Sequence, residues 1–287
     1  MLKHEIHIVP SSITPTRLSD YVVGIFVSIT TKAGMKKAIK KALVKVDGQV
    51  GTSGRYLRGG EKLELMLQDK SASEKVVELA IEVLYEDDYL AVIVKPAGIV
   101  VSGNKFKTIE NALPFNLMIS PLSDGLLRPK PVHRLDYPTS GLLLIGKTSQ
   151  AVLLLNKMFE DKQIQKIYHA VTMGEMPKAG ELDLPIDGKE SLTDFEVLQT
   201  VDSAKYHYLN LVKLVPHTGR RHQLRIHMAH IGNPIFGDRL YGEEGNILQG
   251  KGLYLHASAI EFRHPFQDET ISIKQALPQK FLKIFSS

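Results

Sequence analysis

The spacing of apolar residues changes character along the chain. In ITPTRLSDYVVGIF, Leu18, Tyr21, Val22 and Phe26 share one helical face, and Thr14–Thr16 offer caps. In TKAGMKKAIKKALV, Met35, Ile39, Ala42 and Leu43 recur at helical spacing and predict a second helix. VKVDGQV then carries an Asp47-Gly48 turn signal, and RGGEKLELML alternates after a Gly-Gly turn. From residue 77 onward, VELAIEVLYEDD, YLAVIVKPAG, GLLLIGKT, QKIYHAVTMGE and YLNLVKLVP read as strands, and KGLYLHASAIEFRH as a late strand or strand pair. SQAVLLLNKMFEDK is expected to be an amphipathic helix capped by Ser149. RRHQLRIHMAHIG is expected to be a helix ended by Gly232, with Pro234 beyond. The Pro-rich stretch 113–131 reads as a loop. The pattern predicts an α+β chain: a small helix-hairpin unit over residues 1–70, a polar linker over 71–76, and a mixed, mostly antiparallel sheet over 77–287.

Composition narrows the function classes. The chain has 287 residues and no cysteine, which excludes disulfides, thiolate zinc sites and cysteine nucleophiles and fits a cytoplasmic protein. No window approaches the ~18 apolar residues of a membrane helix, and MLKHEIHIVPSS lacks a secretory apolar core, so no membrane association is expected. The net charge of +5 is unevenly placed. Residues 1–70 hold 12 Lys and Arg against 6 Asp and Glu; the rest holds 24 against 25. Lys32–Lys36–Lys40 and Lys37–Lys41–Lys45 form like-charge stripes at i, i+4, which repel one another unless an anion relieves them. A partner with phosphates is the natural reading, and a solvated basic face is the alternative.

Three segments could carry chemistry. In PVHRLDYPTSGLLLIGKT, Asp136 sits in a loop after Arg134 and before an apolar strand. A carboxylate there can be a nucleophile, a base or a stabiliser, or can merely close the turn. In HTGRRHQLRIHMAHIG, Arg220, Arg221, His222, Gln223 and Arg225 crowd a helix start behind a Thr218-Gly219 turn, which suits an anion. His217, His222, His227 and His230 are spaced by five, five and three, without an i, i+4 pair, so no metal is expected. Tyr168 lies in a strand beside Lys166 and His169 and can serve packing or chemistry. No phosphate-binding P-loop or dinucleotide glycine pattern occurs, so no nucleotide cofactor is expected.

Together these segments resemble the RluA-type family of RNA pseudouridine synthases. His133-Arg134-Leu135-Asp136-Tyr137-Pro138-Thr139-Ser140-Gly141 stands where the family has HRLD-x-x-TSG. Lys166 through Gly174 match K-x-Y-x-A-x-x-x-G, and Thr218 through Arg225 match TGR-x-HQ-[IL]-R. HIGNPIFGDRLYG, YEDDYLAVIVKPAGIVV and LHASAIEFRHPF are also similar to family segments, in the family order. The resemblance implies an isomerase that needs no cofactor, with Asp136 as the catalytic aspartate, Tyr168 against the target base and Arg225 paired with Asp136. It implies that Arg134 fills the space of a flipped uridine. Thr218, Gly219, Arg220, His222 and Gln223 would serve RNA binding. The first unit resembles an S-four-type RNA-binding domain through Arg17-Leu18-Ser19-Asp20-Tyr21 and Arg58-Gly59-Gly60-Glu61-Lys62-Leu63. That implies RNA contact by Arg17, Lys36, Lys37, Lys40, Lys41 and Lys45. The expected partner is RNA, ribosomal first and transfer RNA second, bound by a monomer. Two alternatives differ in class. One is a non-catalytic RNA-binding assembly factor. The other is a glycosidic hydrolase, which needs a second carboxylate such as Asp183 or Asp238 near Asp136.

Overall fold

The computed structural model describes residues 3–29, 31–67, 76–242 and 252–285; the expected linker at 71–76 lies outside them except for residue 76. The first unit opens with β1 (Lys3–Ile8), β2 (Thr16–Arg17) and α1 (Leu18–Tyr21). The expected first helix is thus one turn. Arg17 is extended and caps nothing with its side chain, and Gly24 turns the chain at φ 79°. Leu18, Val22 and Phe26 are nevertheless buried together. Helix α2 (Lys32–Lys40) is capped by Thr31, whose hydroxyl accepts from Gly34 N–H. Ala42 leaves the helix at φ 58°, so Lys45 falls in β3 (Val44–Val46) and does not extend a helical lysine stripe. β4 (Gln49–Val50), β5 (Tyr56–Leu57) and β6 (Lys62–Leu67) follow. The strands form a sheet in the order β1-β6-β3-β4, with β2 paired to β5, all antiparallel. Met35 and Ile39 of α2 pack with Val44, Leu63 and Leu65 into a core of this unit's own.

The larger unit is built on one wide sheet. β7 (Val83–Glu86) is shorter than expected, because residues 76–82 form no regular strand. β8 (Leu90–Lys95), α3 (Ile109–Asn116) and β9 (Gly125–Pro131) come next. The last two correct the reading of 113–131 as a loop: Pro114 sits inside the helix, and β9 pairs only at the sheet margin with β10 (Ser140–Thr148). Helix α4 (Ser149–Glu160) is capped by Thr148, not Ser149; the Thr148 hydroxyl accepts from Ala151 N–H. β11 (Gln165–Met173), β12 (Ala179–Asp183), β13 (Leu192–Ser203) and β14 (His207–Pro216) lead to α5 (Gln223–His230). β15 (Leu255–Arg263), β16 (Thr270–Lys274) and α6 (Gln279–Phe285) close the described chain.

The order is β12-β13-β14-β11-β15-β10-β8-β7, with β16 on β15 and β9 on β10. Every pair is antiparallel except β10 with β15, so the class is α+β with a mixed, mostly antiparallel sheet. Side chains alternate across the sheet, which gives it two buried faces. Leu143, Ile145 and Tyr168 pack on one side with Leu224 and Met228 of α5; Leu142 and Leu144 pack on the other with Leu155 of α4. Among the described residues no helix is long and apolar enough to cross a membrane.

Candidate active site

The loop carrying Asp136 is held from three sides. After β9, Val132 N–H donates to Leu144 O at 3.2 Å, and Leu144 N–H donates to His133 Nε2 at 2.9 Å. The His133 ring thereby continues the ladder beside β10 where the main chain has turned away. Burial, with help from the Lys166 charge, pushes its pKa down to about 3, so the ring is neutral. With Nε2 accepting, its proton resides on Nδ1. Leu135 is buried in the core, and Thr139 N–H donates to Asp136 O at 3.1 Å. Buried Lys95 donates to Pro96 O at 2.8 Å and reaches Tyr137 O at 3.5 Å. Burial lowers the Lys95 pKa to about 8, against the pull of the Asp136 charge. Gly141 at φ 116° lets β10 meet β15; a Cβ there would collide with the Ala257 backbone.

A cation faces Asp136 from α5. Arg225 Nη1 lies 3.4 Å from Asp136 Oδ2, while its Nε and Nη2 each donate to Asp238 at 2.7 Å. The Tyr241 ring covers the guanidinium at 5.0 Å, and its hydroxyl meets His222 Nδ1 at 2.9 Å. Burial opposes the Arg225 charge, but Asp238 and then Asp136 outweigh it and raise the pKa. Burial likewise opposes ionisation of Asp238; hydrogen bonds from Arg225 and from Leu240 and Tyr241 N–H win and hold its carboxyl below the usual range. His222 sits in the left-handed region at φ 57° with Nε2 3.8 Å from Asp136 Oδ1. Burial lowers its pKa, Asp136 resists, and Arg225 and Arg221 add to the lowering.

Asp136, His222 and Arg225 line a cavity of about 720 Å³. Tyr168 on β11 forms part of its wall; burial and the Asp136 charge raise its pKa and keep the phenol protonated. Arg134 is exposed at the rim, with Gly219, Arg220 and Arg221 also on the lining. Thr218 and Gln223 line it too, but their polar atoms are spent inside the protein. The Gln223 amide donates to Leu192 O and Thr193 Oγ1 and its oxygen accepts from Thr218 Oγ1 and Arg220 N–H. These two residues brace the loop. Arg220 donates through Nε to Glu190 O. The first unit's cations stand elsewhere and do not line the cavity: Arg17 on Tyr56; Lys36, Lys37, Lys40 and Lys41 exposed along or just after α2; Lys45 on β3.

The histidine cluster disperses. His217 meets Asp194, His222 meets Tyr241, and buried His227 meets Ser191 and Leu184 O. Among the described residues no group of three or more metal-type ligands converges. Neither carboxylate named for the hydrolase alternative faces the cavity. Asp183 is exposed on β12 away from the cavity, and Asp238 is sealed behind Arg225. Sequence reasoning named Asp238 only as a hydrolase carboxylate, not as the partner of Arg225, and missed Tyr241; their signal was the GDRLYG segment after the helix.

Comparison with known proteins agrees with this geometry. A profile of the RNA pseudouridylate synthase family matches residues 89–230. An uncharacterized RNA pseudouridine synthase of Aquifex aeolicus is 33% identical over 89% of this chain and 89% of its own. Ribosomal large subunit pseudouridine synthase D of Pseudomonas aeruginosa is 31% identical over 86% and 84%. tRNA pseudouridine synthase C of Haemophilus influenzae is 32% identical over 72% of this chain and 97% of its own. The solved structure of human RNA Pseudouridylate Synthase Domain Containing 4 superposes with a TM-score of 0.56, at 25% identity over 70% of this chain and 90% of that one. With HRLD, K-x-Y and the TGR helix start drawn around one cavity, the chain belongs to the RluA-type family of RNA pseudouridine synthases and is an isomerase acting on RNA.

Proposed function

We propose that the Asp136 cavity isomerises uridines of large-subunit ribosomal RNA. The observation that carries the site assignment is the Asp136 carboxylate at a 720 Å³ cavity, opposed by an Arg225 that Asp238 holds in place. A uridine stacked in RNA cannot reach such a wall and must flip out, at a cost of a few kcal/mol. Arg134, exposed at the rim, fills the space it leaves, and Tyr168 lies against the base. The glycosidic C–N bond breaks, the base turns, and a C–C bond forms at ring carbon five; that carbon gives up its proton and the freed ring nitrogen takes one, so no atom is gained or lost overall. Asp136 supplies the negative charge for this exchange, and neutral Tyr168 and His222 bound the space in which the base turns.

Ribosomal RNA is favoured by the extent of the likeness. The large-subunit relative spans 86% of this chain, whereas the tRNA enzyme matches 72% with nearly its whole length. The basic first unit is the surplus, and we assign it to RNA binding. The test is pseudouridine mapping of ribosomal and transfer RNA from cells with and without the protein. Loss of defined pseudouridines from large-subunit RNA is expected; loss from transfer RNA alone overturns the ribosomal assignment.

A further inference from the structure

Part of the cavity lining has no role in the chemistry above. Lys166 and Tyr168 are two residues apart on β11, so they share a face and lie about 7 Å apart along the strand. The Lys166 ammonium sits 5.8 Å from the Phe159 ring centroid, and that ring packs on the His133 imidazole at 4.8 Å. All three line the cavity with Tyr168.

Lys166 differs from the other buried lysines. Lys147 is paired with Glu86 at 2.6 Å, and Lys95 donates to Pro96 O and Tyr137 O. Among the described residues the Lys166 ammonium makes no ion pair and no hydrogen bond; Glu160 lines the same cavity from the end of α4 without pairing with it. Burial lowers the Lys166 pKa, as expected for an ammonium removed from water with no counterion. His133 also has a donor to spare. Leu144 N–H occupies Nε2, so Nδ1 bears the proton, and among the described residues it has no partner. A half-buried cation and a neutral N–H donor on one cavity wall suit an anion that keeps its charge at every working pH. A backbone phosphodiester is such an anion.

We propose that Lys166 and His133, with Phe159 packed between them, form a subsite for the phosphodiester next to the target uridine. The contact holds the strand in register while the uridine enters against Tyr168. It rests on the assignment of the Asp136 cavity as the uridine site, and it adds a defined anchor there, apart from the lysines of α2.

The experiment uses the full chain and a short RNA containing the mapped uridine. Lys166→Gln should raise KM roughly tenfold, the scale of one lost charge-assisted hydrogen bond. It should flatten the slope of log affinity against log salt by about 0.7. Most of kcat should remain at saturating RNA, and Lys166→Arg should restore much of the affinity. A neutral methylphosphonate placed at one of the two linkages flanking the uridine should weaken the wild-type enzyme equally and add no loss to Lys166→Gln. A Lys166→Gln protein with wild-type Tm, KM and salt slope overturns the subsite. So does an additive methylphosphonate penalty at both linkages. If Lys166→Gln does not fold, the wild-type methylphosphonate scan decides alone: no loss at either linkage overturns the proposal. Asp136→Asn separates the two readings. A turning-over Asp136→Asn sinks the site assignment, whereas an inactive Asp136→Asn beside an unaffected Lys166→Gln sinks only the phosphate subsite.

Discussion

Helix α2 and the segment that enters α5 both carry clustered positive charge, and the fold uses them in opposite ways. Lys36, Lys37 and Lys40 project from α2 into solvent, and nearby Lys32 makes an exposed ion pair with Asp20 at 2.8 Å. Arg225 of α5 is 3% exposed and gripped by Asp238 through two bonds of 2.7 Å. Exposed ammonium groups are mobile and screened within about 10 Å at ordinary salt. They draw in a polyanion without fixing where it stops. A guanidinium with a planar fork, permanently charged and locked by a buried carboxylate, has one orientation. What it offers is geometry at Asp136. Positive charge alone therefore does not distinguish the two regions; burial and carboxylate pairing do.

The widest separation between the two regions should come from the carboxylates. Asp136→Asn keeps the shape and removes the charge. Single-turnover pseudouridine formation should fall roughly 10³-fold or more, with RNA binding and Tm retained. Asp238→Ala leaves Arg225 buried and half-unpaired, which costs about 3–5 kcal/mol in urea unfolding. Asp20→Ala at the first unit should leave the urea midpoint where it was. Equal sensitivity to Asp238→Ala and Asp20→Ala would erase the distinction.

The elements visible in the sequence were those whose burial is regular along their whole length, whether periodic or continuous. GLLLIGKT and QKIYHAVTMGE became β10 and β11 because both faces of these central strands are covered. β13 escaped notice because its burial alternates only over its first half, leaving its second half largely exposed. The first helix failed because Leu18, Val22 and Phe26 can be buried by a single turn and the turns after it, so an apolar spacing of three and four is no proof of continuous helix. At the site, family motifs pointed to Asp136, Tyr168 and Arg225. Asp238 lies 13 positions after Arg225 in irregular chain, where no period signals a contact. His133 was legible as a motif letter, but its task of accepting from Leu144 N–H depends on where β9 ends.

Acid should next distinguish the large sheet from the basic surface. Burial holds His133 at a pKa of about 3 and His256 at about 4, the latter with Nδ1 2.9 Å from Ser140 Oγ beside the Asp136 loop. Below about pH 6.5 the unfolded chain takes up protons on these residues and the folded chain does not. Stability should hold above that pH and decline as pH falls through it. By pH 5 the loss should be roughly 2 kcal/mol for each histidine. Urea unfolding from pH 7.5 to 5 measures it. His133→Asn, which keeps an acceptor for Leu144 N–H, should remove part of the slope. A flat profile would show that these rings are not held neutral.

The smallest effect should belong to α2. Neutralising Lys36, Lys37 and Lys40 together as glutamines preserves helix-forming residues and leaves the Thr31 cap in place. If all three meet phosphates on single-stranded RNA, the slope of log affinity against log salt should shrink by about two units. Phosphate contacts position a nucleic acid without reading its bases. On the proposed assignment, in which the Asp136 cavity bounds the target base, the set of uridines modified at saturating RNA should accordingly stay the same. A change in which uridines are modified would mean that α2 selects the substrate, and the division between attraction and geometry would fail. An unchanged salt slope would leave α2 a solvated basic face, with the cavity wall and its rim supplying the whole of the electrostatic grip.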